Sequence, residues 1–307
     1  MLGKMSDKVL RTCAASRHLR RLALAVLGCA LAGSVPALAG KSVDQSLLDI
    51  EQVEQRLSSM PRSVPAVVKA AVDRGHSEAA EVAPILTTAA KSAFDGNAMG
   101  AEISEGVASV DAGVVDEVAF AKAATAFEGA REKVAQLYVR QDQAAATAIE
   151  KRLAGADGAG IAQLADLMAA PELAVEAAVT AQAMYVSLDS FSTAGAEDLA
   201  STSKEQMEAQ LPDVVASLRI KTENEKPVPK DVARMEEKAR LTFILASMTP
   251  EDFSTLSDFY QSAVGKAKRQ ALVDCYRRVS DQANIRMLRE YLTALAVHLE
   301  THPRPQQ

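Results

Sequence analysis

His298 and His302 stand four residues apart, one helical turn, with Glu300 between them. Imidazoles at that spacing share a helix face and can grip zinc. The zinc-protease pattern, however, places Glu directly after the first His. Leu299 holds that position here, and Pro303 ends the helix, so the pair reads as a solvated helix terminus. Beyond residue 39 the one other histidine is His76, which leaves little for a nucleophile–imidazole relay. No phosphate loop of Walker type and no Gly-x-Ser-x-Gly elbow occurs. Carboxylates alone could run acid/base chemistry on cell-wall glycans, but helical lytic transglycosylases use a Glu followed by Ser, and the chain has no such pair. Catalytic, cofactor-binding and metal-ligating residues are therefore assigned to none.

The amino-terminal segment gives the address. Lys4, Lys8, Arg11, Arg17, Arg20 and Arg21 face a single acid, Asp7; an apolar run follows from Leu22 to Gly33, and Ala37-Leu38-Ala39 comes just after Pro36. This order predicts a signal peptide over 1–39, with Ala37 and Ala39 in the protease pockets and Gly40 as the first mature residue. About 12 apolar residues fall short of the roughly 20 that a span requires. The alternative is a lipoprotein acylated at Cys29. The expected compartment is the periplasm, with a soluble mature chain and no later membrane span.

Cleavage changes the charge. Taking six bases and one acid from 34 and 40 leaves 28 and 39, a net of −11 instead of −6. So acidic a chain is repelled by nucleic acid and by anionic lipid. The acidity is uneven: residues 40–218 hold 13 bases and 27 acids, whereas 219–290 hold 14 and 11. Two readings remain open, an ordinary solvated surface or a carboxy-terminal unit that docks on the acidic part or on an acidic partner. Cys275 is the lone cysteine after cleavage, so no intrachain disulfide can form. Its place between Leu272 and Val279 predicts a buried thiol.

Ala, Val and Leu dominate the apolar residues, aromatics are 4%, and Trp is absent. That composition and apolar spacings of three and four predict an all-α, Ala-rich multi-helix array or bundle with no significant sheet. Short helices marked by Pro and Gly are expected through Gly113, one of them capped by Ser77 and interrupted at Pro84. One helix is expected from about Val114 to Leu153, burying Val118, Phe127, Val134 and Leu137. The organisation reads as an Ala-rich helical region (40–222), a polar Pro-containing linker (223–229), a carboxy-terminal helical domain (230–299) and a disordered tail (300–307).

In the carboxy-terminal part, Asp231 to Met248 predicts an amphipathic helix with Val232, Met235, Leu241, Ile244 and Leu245 inward. Thr249 is placed to cap a second helix with Pro250 in its first turn and Glu251 and Asp252 at the positive end of its dipole. Phe253, Leu256, Phe259 and Tyr260 give its buried face, and Ser262 caps a long helix reaching about Leu299. Met248-Thr249-Pro250-Glu251-Asp252-Phe253 with Phe259-Tyr260-Gln261-Ser262-Ala263-Val264-Gly265-Lys266 resembles the secreted bacterial domain-of-unknown-function family 2059. Its members show an acidic helix start and then Phe-Tyr-x-Ser-Pro-x-Gly; Ala263 stands here for Pro. The resemblance covers about 230–295 and implies an exported helical domain of Gram-negative bacteria, with no catalytic residues to transfer. Without it, the same residues read as a helix corner in which Gly265 lets another backbone approach. The expectation is an exported, non-enzymatic protein that binds a protein or a cell-envelope component. The alternative is a carboxylate-dependent envelope hydrolase.

Overall fold

The computed structural model describes residues 41–111, 113, 115–193, 204–221 and 229–302. Every regular element among them is a helix, and the all-α expectation is met. The signal-peptide positions Ala37, Ala39 and Gly40, most of the 223–229 linker and residues 303–307 lie outside the described residues.

In chain order the helices are α1 (Val43–Ile50), α2 (Val53–Ser59), a 3-10 turn (Met60–Ser63), α3 (Val64–Val72), α4 (Ala79–Ala93), α5 (Gly96–Ala108) and α6 (Glu117–Arg140). They continue as α7 (Gln143–Leu153), α8 (Gly158–Leu167), α9 (Ala170–Thr193), α10 (Lys204–Lys221), α11 (Lys230–Ala246), α12 (Pro250–Gln261) and α13 (Ala263–Thr301). Starts are written in local chemistry. Ser42, Asp95, Asp116 and Asp142 each accept a hydrogen bond from a first-turn N–H of the helix that follows. Those side chains meet N–H groups that no helical carbonyl can reach.

The 39-residue α13, about 58 Å long at 1.5 Å per residue, is the axis of the fold. It packs against α4, α5, α9, α10 and α12. Around it α9 lies on α11, α6 on α12 and α1, and α3 on α4. The main apolar core draws on both sides of residue 229, from Leu47, Leu86 and Ile103 to Leu245, Leu256 and Leu272.

Several expectations are corrected. The helix expected over 114–153 is two, because Gln141 turns left-handed (φ 54°) and Asp142 starts a new cap. Val118 is 81% exposed and Met235 62% exposed, although both had been read as inward. Ser77 does not cap α4, which begins after Glu78 and carries Pro84 inside it without a break. The long last helix runs through Thr301, two residues into the segment read as tail. Cys275 is partly buried and not sealed; Gly106 gives it room, since a Cβ there would collide with its sulfur.

The charge asymmetry has a structural counterpart. Asp44 on α1 pairs with the buried Lys268 on α13 at 2.6 Å, Glu172 on α9 with Arg234 on α11 at 3.1 Å, and Asp166 on α8 with Lys238 at 2.5 Å. Glu102 on α5 meets Arg278. In these pairs acids before residue 219 meet bases after it, whereas Arg56–Glu237 and Lys122–Glu251 pair in the opposite sense.

Candidate functional site

The most chemically loaded place in the protein is the turn between α1 and α2. A helix end leaves carbonyls without donors, and its dipole favours cations there. Two guanidiniums answer. Arg131 from α6 donates to the Ile50 carbonyl, and Arg56 Nε donates to the Glu51 carbonyl at 2.9 Å. Between the helices Gln52 holds φ 54°, ψ 40°, a conformation that side-chain-bearing residues rarely adopt. The outer edges of both guanidiniums are taken by carboxylates. Arg56 pairs with Glu237 of α11, which also receives Arg240 at 2.5 Å, and Arg131 pairs with Glu128.

Glu51 itself is fully buried. Its Oε1 accepts from the Tyr260 hydroxyl at 2.5 Å and from the Ala169 N–H at 2.9 Å, just ahead of α9. Oε2 has no hydrogen-bond partner. The carboxyl group therefore leaves the negative end of α1 and meets the positive end of α9, where an acid is favoured. One side chain joins three helix junctions: α1 to α2, α8 to α9, and the end of α12.

Glu51 and Glu237 are tuned in opposite directions. Burial pushes the Glu51 carboxyl up, and hydrogen bonds from Tyr260 and Ala169 offset that only in part. Burial also pushes on Glu237, but Arg56 and Arg240 overcome it and hold that carboxyl down at about 2. Burial lowers the Arg131 guanidinium to about 10 against the pull of Glu128, with Arg240 and Arg56 adding repulsion. The Tyr260 hydroxyl is raised by burial and by Glu51, so it remains a donor. Shifts of this kind often mark active sites. For Glu51, Glu237, Arg131 and Tyr260 the partners are protein atoms, an arrangement that fixes helices.

The residues of the family-like motif form the corner that presents Tyr260. Thr249 accepts from the Asp252 N–H at 3.2 Å, Pro250 occupies the first turn, and Glu251 pairs with Lys122 at 3.0 Å. Phe253 packs on the core edge, and the Phe259 ring lies 4.1 Å from that of Phe120. Ser262 accepts from the Gly265 N–H at 2.9 Å, and a Cβ on Gly265 would overlap the Phe259 carbonyl. Tyr260 alone of the set reaches the buried network. Glu51, Arg56, Arg131 and Glu237 carried no sequence signal, because Glu51 and Tyr260 are 209 positions apart and Arg56 and Glu237 are 181.

The histidines gather elsewhere, at the end of α13. His298 Nε2 lies 3.0 Å from Glu81 of α4, and the His298 and His302 rings stack at 4.6 Å. No group of three His, Cys, Asp or Glu side chains among the described residues has the geometry to hold a metal. Nor is any described helix long and apolar enough to cross a membrane. On the surface, α3 and α4 border a shallow groove of about 400 Å³, with apolar walls at Val64, Pro65, Val68 and Ala83 and an ion pair at its rim between Lys69 and Asp73. No family model, no curated protein and no solved structure matches the chain.

Proposed function

We propose that the chain is an exported periplasmic helical protein that binds a protein or a cell-envelope component and is not an enzyme. One observation carries this reading: of the four described carboxylates with perturbed proton affinity, Glu51, Glu128 and Glu237 are spent on internal hydrogen bonds and ion pairs, and the fourth, Glu236, is raised by burial alone. A glycan hydrolase needs one carboxyl on each side of a bound sugar, with open space between them. The α3–α4 groove supports the same view, since its walls are apolar and its one carboxylate, Asp73, is already paired with Lys69. The order of charge, apolar run and small residues over 1–39 supports export.

Two measurements test the proposal. Fractionation followed by amino-terminal sequencing should recover a periplasmic protein that begins at Gly40; a cytoplasmic protein that keeps residues 1–39 would refute export. The mature chain should leave a peptidoglycan zymogram intact and be retained by an envelope extract or by purified sacculi. Clearing of the gel, lost in a carboxylate variant, would establish the hydrolase alternative instead.

A further inference from the structure

We draw no further inference here: the strongest candidate, the shallow apolar groove between α3 and α4 walled by Val64, Pro65, Val68 and Ala83, is an unpartnered face, and nothing in the structure shows what covers it.

Discussion

Two clusters of arginines and carboxylates hold this protein together at different depths. Around the α1–α2 turn, Arg56, Arg131 and Arg240 meet Glu128 and Glu237 beside the buried Glu51, against the main apolar core. Along α10, Arg219 and Arg277 meet Glu176 and Asp281 beside a cluster of only a few apolar side chains. The bonds are alike. What differs is the backing. Each cluster holds a largely buried carboxylate, Glu237 in the first and Glu176 in the second, and each reaches water at one edge, through Glu128 and through Arg277. The first stands against the main core and the second against a small satellite of it. The same chemistry therefore welds one region more firmly than the other.

The largest break in that comparison should come from Glu237→Ala. It strands Arg56 and Arg240 against each other, and urea unfolding at pH 7 should show a loss of about 3–5 kcal/mol. Tyr260→Phe takes a donor from the buried carboxylate and should cost about 1.5–3 kcal/mol. The pH dependence then separates the two inner acids. The contribution of Glu237 is full above the unfolded carboxyl value of about 4.3 and fades as pH falls toward its folded value of about 2. Glu51 works the other way: its folded value is raised, so its contribution is greatest in acid and is lost as pH climbs from the unfolded to the folded value. Glu51→Gln should therefore gain on the parent chain as pH rises, and a stability difference flat from pH 4 to pH 9 would contradict the assignment.

Thr249→Ala and Ser262→Ala loosen the corner that carries Tyr260 and should each cost about 1 kcal/mol in thermal melts. The smallest global effect belongs to Arg219→Gln, under about 1 kcal/mol, because Arg277 still faces Glu176. Its mark should be local, with amide exchange faster across 204–221 and unchanged in α9 and α13. Uniform acceleration throughout would mean that α10 is as much a part of the weld as Glu237.

What could be read in the sequence follows the range of the interaction. Thr249 and Ser262 were legible as caps because the bond each accepts comes from three residues away. The long α13 was legible as a helical pattern with no Gly or Pro from Lys266 to Thr301, although its length suggested a bend near Ser280 or Asn284 where the structure has one continuous helix. The break at Gln141 was not, since nothing in its residue type demands φ 54°. Met235 was misread because an apolar residue at helical spacing is compatible with either face, and the face that packs is chosen by α9 and α8. The buried network was invisible for the same reason: Glu51 resembles any other acid at a helix end until Tyr260 arrives from the far end of the chain.

That distance has a kinetic side. Asp44, Glu51 and Arg56 all belong to the first helices, and their partners Lys268, Tyr260 and Glu237 belong to the last three. A chain that emerges amino end first can form α1 and α2 locally, but cannot seal them while those partners are still missing. Pairings this remote delay the rate-limiting step. Folding should thus wait on the arrival of α13 and then proceed as one event, with the earlier helices unsealed until the final quarter of the chain appears.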